Sequence, residues 1–365
     1  MRNQNIRGGR LDISEPSYTD ETNFVMRTQR ALPTQGDLVI TREAPMGEVC
    51  MIPSGVRCCL GQRMVLLRPN REAVEPKYLL YAIQSSVIQN TIRVEGGTGS
   101  TVSNLRIPVL ADLKIPLPPT KAEQEAIAEA LGDADALIDS LERLVAKKRQ
   151  LKQGATRDLL RPRDGWVPKR LGNTAILKAR IGWQGLKAAE FLDSGDYVLV
   201  TGTEFEDGNI DWSSCHYVDA LRYKQDRNIQ LREDDVLVTK DGTIGKVALV
   251  KQLDKPATLN SGVFVIRPID GAFQPNFFYY LLCSRVFETF LAQLSAGSTI
   301  NHLYQKDFAS FIYETPATIR EQIAIATILS DMDAEIAALA AKLAKARQLK
   351  QGMMQELLTG RIRLV

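Results

Sequence analysis

The chain has 365 residues, 44% of them hydrophobic, and 46 Lys and Arg against 43 Asp and Glu give a net charge of +3. That length suits two or three domains and that apolar content argues against wholesale disorder, while the near-balance of charge names no partner. No apolar run reaches the ~18 residues of a membrane span, and MRNQNIRGGR lacks the apolar core of a secretory signal. The five cysteines, Cys50, Cys58, Cys59, Cys215 and Cys283, form no C-x-x-C pair. This argues against zinc or a disulfide framework and for a reducing, cytoplasmic setting, with each cysteine a small buried apolar residue.

Residues 1–120 hold 12 Arg and 2 Lys against 11 acids, a usage that suits forked contacts to phosphate or guanine and equally an ordinary solvated surface. In chain order, DLVIT (37–41), EVCMI (48–52) and MVLLR (64–68) predict short strands bounded by Gly and Asp. PKYLLYAIQSSVIQNTI (76–92) has helical spacing. IPLPP (115–119) closes the globular part, because Pro disfavours helix before it. Thr120 with Glu123 then reads as a capping box opening a long helix. Its positions Ile127, Leu131, Ala134, Ile138, Leu141, Val145, Lys148, Lys152, Ala155 and Leu159 step alternately by four and three, the 3.5-residue seam of a coiled coil. A link, RPRDGW (161–166), follows.

Everything then recurs. At a shift of 198 residues GDLVITREAPMGEV (36–49) falls on DDVLVTKDGTIGKV (234–247), GSTVSNL (99–105) on GSTINHL (297–303), and PPTKAEQEAIAEAL (118–131) on PATIREQIAIATIL (316–329). RQLKQG (149–154) returns unchanged at 347–352. The second helix repeats the seam at Ile325, Leu329, Met332, Ile336, Leu339, Leu343, Ala346, Lys350, Met353 and Leu357. The chain is thus one unit written twice, each a mixed α/β head followed by a long helix. Helix 1 enters head 2 and helix 2 leaves it, so paired seams run antiparallel and a pseudo-twofold axis relates the halves. The expected fold is α+β, with a head at 1–118, a spacer helix at 119–160, a second head at 161–317, a second helix at 318–358 and a tail at 359–365. Against Trp166–Asp235 the first copy is about 32 residues short before Asp37. The expectation is an N-terminal truncation, a misplaced start codon or a naturally shortened head.

This architecture resembles the specificity subunits of type I restriction–modification systems. The resemblance covers essentially the whole chain. It rests on GDLVITR and DVLVTKDGTIGK, on IPLPP followed by Glu123-Gln124-x-x-Ile127-Ala128, on Glu321-Gln322-Ile323-Ala324-Ile325, and on QELLTGRIRL (355–364). It implies that each head reads one half of a split sequence in double-stranded DNA, and that the helices set the gap and bind two methyltransferase subunits. Those partners would carry S-adenosylmethionine and methylate adenine N6; motor and nuclease subunits, with ATP and Mg2+, would join for cleavage.

The chain shows no N-P-P-Y tetrapeptide, no P-loop (GTIGKV lacks its spacing), no nuclease Asp with Glu-x-Lys, and no nucleophile beside His216 or His302. It is therefore expected to be non-catalytic. A stand-alone DNA enzyme and a coiled-coil scaffold without DNA are the rival classes. Two loops per head are candidate DNA contacts. The first holds Thr41 and Arg42, matched by Thr239, Lys240, Thr243 and Lys246. The second holds Ser100, Thr101, Ser103 and Asn104, matched by Ser298, Thr299, Asn301 and His302. Cations and hydroxyls suit phosphate and base edges, although the same residues are ordinary turn formers. Trp183 and Gln184 lie on a third loop or in the core.

Overall fold

A computed structural model of the chain describes residues 1–96, 104–182, 185–294 and 302–364. It divides into two compact units, Met1–Val145 with Leu339–Val365, and Ala146–Ala338. In unit 1, strands β1 (Leu38–Thr41), β2 (Val49–Met51) and β3 (Met64–Leu67) form an antiparallel sheet in the order β2-β1-β3. Helices α1 (Pro76–Gln84) and α2 (Ser86–Gly96) follow. In unit 2, β4 (Trp166–Arg170), β5 (Ala175–Ala179), β6 (Tyr197–Val200) and β7 (His216–Val218) precede β8 (Val236–Thr239), β9 (Val247–Leu249), β10 (Ala257–Leu259) and β11 (Val263–Pro268). Then come α4 (Pro275–Leu282), α5 (Arg285–Leu294) and β12 (Ile312–Pro316). Two long helices, α3 (Lys121–Leu159) and α6 (Ile319–Leu357), each contribute to both units.

The repeat is visible in the sheets. The order β9-β8-β11 repeats β2-β1-β3, with Val236 opposite Leu249 and Ile266 where Leu38 stands opposite Met51 and Leu67. Unit 2 adds β5 beside β11, a β7-β6-β10 sheet and the β12-β4 pair. These have no counterpart among the described residues of unit 1. The stretch expected as one helix at 76–92 is two, α1 and α2, because the Ser85 hydroxyl donates to the Ala82 carbonyl and accepts the Ile88 N–H. Ser284 does the same between α4 and α5, through Leu281 and Val286.

Every seam position of α3 and α6 is buried or half-buried, and Leu137, Leu144, Leu151 and Leu349, off the seam, are exposed. In unit 1, Arg347–Glu142 and Lys350–Asp135 link the helices; in unit 2, Lys148–Glu335 and Lys152–Asp333 do so. In each unit a rising number on one helix meets a falling number on the other, so the pairing is antiparallel. Unit 1 packs Tyr78, Tyr81, Ile127 and Leu131 against Leu357 and Leu358. Unit 2 packs Phe277, Tyr280, Ile325 and Leu329 in one core with Leu160.

The helix starts correct the capping-box expectation. The Thr120 hydroxyl accepts the Glu123 N–H, but the Glu123 carboxylate pairs with Arg363 of the tail instead of turning back. Thr318 and Glu321 repeat this, with Glu321 bound by Arg163 of the link. The next residue is buried: Gln124 accepts the Glu75 N–H at 2.9 Å and donates to the Ala73 carbonyl. Gln322 likewise accepts the Gln274 N–H at 2.8 Å and donates to Pro316. The cysteine expectation is corrected too. Cys50 and Cys215 are buried, and burial pushes both thiols up to about 12, but Cys58 and Cys59 are half-buried and Cys283 is exposed.

The equivalent strands β1 and β8 are each anchored by a buried aspartate just before them. Asp37 pairs with Arg68 at 2.7 and 3.0 Å and accepts the Thr34 N–H; Asp235 pairs with Arg267 at 2.6 Å and accepts the Arg232 N–H. Burial pushes the Asp37 carboxyl up, but Arg68 and Thr34 together outweigh it and hold it below the usual carboxylate range. A depressed carboxyl stabilises the fold above its unfolded value of ~4, and that stability is lost as pH falls through the folded value. Asp37→Asn should therefore melt earlier at pH 7 yet lose less on acidification below about pH 4, as read by thermal melts across pH. Gln322→Ala removes the acceptor of the Gln274 N–H and a donor to the Pro316 carbonyl, so denaturant melts should show a loss of about 1–3 kcal/mol.

Candidate nucleic-acid interface

The first candidate loop of each head leaves one end of a sheet. In unit 1 the first loop is residues 42–48, between β1 and β2. Thr41 is buried; its hydroxyl donates to the Pro45 carbonyl at 2.6 Å and accepts the Glu48 N–H at 3.0 Å. In unit 2 Thr239 is buried likewise, donating to the Thr243 carbonyl and accepting the Lys246 N–H at 3.0 Å. The two threonines hold the loops closed from inside and offer no exposed group to a duplex. The loop returns through Gly47 and Gly245, at φ of 88° and 83°. A Cβ there would also lie 3.0 Å from Gln89 or 2.4 Å from Leu291, so the backbone favours glycine and the packing on α2 and α5 leaves little room for more.

The first and second loops meet in each unit, by different chemistry. Arg42 donates from Nε to the Leu105 carbonyl at 2.9 Å and from Nη2 to Asn104 Oδ1 at 3.1 Å. The Leu105 N–H closes the contact on the Arg42 carbonyl. In unit 2 the Leu303 N–H bonds the Lys240 carbonyl at 2.8 Å, and His302 Nδ1 shares a hydrogen bond with Asp241 Oδ1. The Lys240 ammonium lies 5.4 Å from the Phe264 ring centroid. Thr243 and Lys246 are exposed at the tip, and Arg42, Asn104, Lys240 and His302 are half-buried. Ser100, Thr101, Ser103, Ser298, Thr299, Asn301, Trp183 and Gln184 lie outside the described residues.

Sequence reasoning missed Asp241, which carries the clasp in unit 2, and Arg180. The latter is buried and donates to the Leu259 carbonyl at 2.8 Å, to Thr258 and to Gln225. Asp241 sits between two named candidates, so its signal was an acid wedged among cations. Arg180 gave none, because its partners, a backbone carbonyl, a hydroxyl and an amide, are neutral groups far along the chain.

Two heads with one loop scaffold and different loop chemistry suit recognition rather than catalysis. A family model, the type I restriction modification DNA specificity domain, matches residues 8–153 and 164–348. The chain belongs to this family. Specificity subunits are the non-catalytic components of type I restriction–modification complexes, working with DNA and other subunits. The chain is 25% identical over 383 aligned positions to the provisionally named MjaX type I restriction enzyme specificity subunit of Methanocaldococcus jannaschii, covering 100% of this chain and 87% of that protein. It is 24% identical to the MjaVIII specificity subunit of the same organism, over 87% of this chain and 77% of that one. The solved S subunit from M. genitalium superposes with a TM-score of 0.62 at 17% identity, over 90% of this chain and 84% of that chain. A structure described for complex assembly and conformational transition of a type I system gives 0.55 at 18%, over 90% and 83%. Among the described residues of this family member, no helix is long and apolar enough to cross a membrane.

Thr239→Val keeps the shape of the buried side chain and removes its hydroxyl. The expected result is faster hydrogen exchange at the Lys246 amide and a loss of about 1–3 kcal/mol in unit 2. Unchanged exchange would show that the hydroxyl does not hold the loop.

Proposed function

We propose that this specificity subunit reads a split DNA sequence, one half with each head, and that α3 and α6 set the gap and dock two methyltransferase subunits. S-adenosylmethionine belongs to those partners, and ATP and Mg2+ to the motor and nuclease subunits that join for cleavage. The observation that carries the reading is the contrast between helices and loops. Gln124 and Gln322, Glu123 and Glu321, and Lys152 and Lys350 make matching contacts, whereas Arg42–Asn104 and Asp241–His302 do not match. A reader of two different words that presents two like docking sites needs this division. Arg42, Asn104, Lys240, Thr243, Lys246 and His302 supply cations, an amide, a hydroxyl and an imidazole for phosphate and base edges.

Inserting one heptad after Val145 and another after Leu343 keeps the seam, because its period is 3.5. It adds about 10 Å at ~1.5 Å per residue. With ~3.4 Å per base pair, the gap in the methylated motif should grow by about three base pairs while both half-site words stay unchanged. That step also turns the second half-site by roughly a third of a ~10.5-base-pair turn, so some affinity is lost. Altered words with an unchanged gap would remove the helices from the spacer role. Lys240→Ala with Lys246→Ala should weaken DNA binding by the assembled complex and flatten its salt dependence.

A further inference from the structure

Lysine is a poor occupant of an apolar seam, yet Lys152 and Lys350 hold matching seam positions in the two RQLKQG copies. In unit 1 the Lys350 ammonium sits 2.7 Å from Asp135 Oδ1 on α3, while Asp135 Oδ2 accepts the Tyr81 hydroxyl at 2.7 Å. The ammonium also lies 5.2 Å from the Tyr81 ring centroid. In unit 2 the same three groups recur with the helices exchanged. Lys152 of α3 pairs with Asp333 of α6, Asp333 Oδ2 accepts the Tyr280 hydroxyl at 2.8 Å, and the ammonium is 5.7 Å from that ring. The four charged side chains are only 19–30% exposed. Burial and the aspartate bond push both tyrosine hydroxyls well above their ordinary range, so each remains a proton donor.

A heptad seam by itself is degenerate, because a slip of seven residues returns apolar groups to apolar groups, and one polar seam residue is enough to fix the register. From the observed pairing, a slip in one sense sets Asp135 opposite Leu343, Asp333 opposite Val145, Lys350 opposite Ala128 and Lys152 opposite Ala326. The other sense sets them opposite Leu357, Leu159, Glu142 and Ala340. In neither do both lysines regain a carboxylate. Stranding one member of a partly buried pair costs more than the pair contributes. The other two bridges, Arg347–Glu142 at 59% and 45% exposed and Lys148–Glu335 at 29% and 48%, lack a tyrosine and are more solvated, so they discriminate less. We infer that the two keys, Tyr81–Asp135–Lys350 and Tyr280–Asp333–Lys152, select the register of the helix pair and, on the spacer reading above, the gap between half-sites.

The test makes the keys apolar at similar volume in the full chain, with Y81F, D135L, K350M, Y280F, D333L and K152M together. Such replacements keep helices packed. The register is reported by E142C paired in turn with R347C, A340C or M354C, joined by a short bis-maleimide and mapped by peptide mass. With the keys intact, the R347C product should dominate at least tenfold. With apolar keys, the A340C or M354C product should rise to a comparable yield, and K152R with K350R should keep the single product. R347C remaining the sole product in the apolar variant would overturn the inference. If the sixfold variant fails to fold, K152M with K350M is read in the same way. The methylated motif of the apolar variant separates the two readings. Mixed cross-links with gaps about three base pairs apart support both. Mixed cross-links with a single gap overturn the spacer reading and leave the keys standing.

Discussion

The rest of each unit depends on one buried amide. Gln124 and Gln322 each reach from the first turn of a long helix to the backbone that precedes α1 or α4. A glutamine donates and accepts at one fixed spacing, so it binds the helix to its head at one angle and one height. An apolar residue there would allow sliding; a charged one would be stranded. The tyrosines of α1 and α4 then fall on the aspartates one face along the helix, and those aspartates are in place for the lysines of the returning helix. Head angle, helix pairing and seam register form one chain of contacts that begins at the amide.

Above that shared base the two units diverge where divergence is useful. Loop closure by a buried threonine and return through a glycine are the same in both. The clasp between loops is a guanidinium on an amide in one and an imidazole on a carboxylate in the other. Fixed hydrogen bonds beneath the loops leave their tips free to change without disturbing the sheet, which is how one scaffold can carry different recognition chemistry.

The helices, the strands and the internal repeat were legible in the sequence, because periodicity and self-similarity are properties of many residues at once. The seam of Ile127, Leu131, Ile138 and Val145 is buried as its spacing required. The polar contacts were not legible. Lys152 and Lys350 were placed in the seam with no partner named, since the aspartates that explain them lie on the opposite helix. Thr41 and Thr239 read as DNA contacts because a hydroxyl beside a cation looks the same whether it faces inward or outward. Asp37 and Asp235, with Arg68 and Arg267, did repeat at matching offsets. Searching the repeat for paired polar residues, rather than for strands and helices, would have found them.

Unit 1 is closed by the last residues of the chain: Leu357 and Leu358 complete its core, and Arg363 binds Glu123 across 240 positions. Unit 2 draws only on the continuous stretch 146–338. On a ribosome adding ~5–20 residues per second, roughly ten to fifty seconds separate Glu123 from its partner. During synthesis the second unit can therefore settle while the first still shows Tyr78, Ile127 and Leu131 to water. The face of unit 1 that is made early is thus covered late, and it is the apolar face a chaperone would meet.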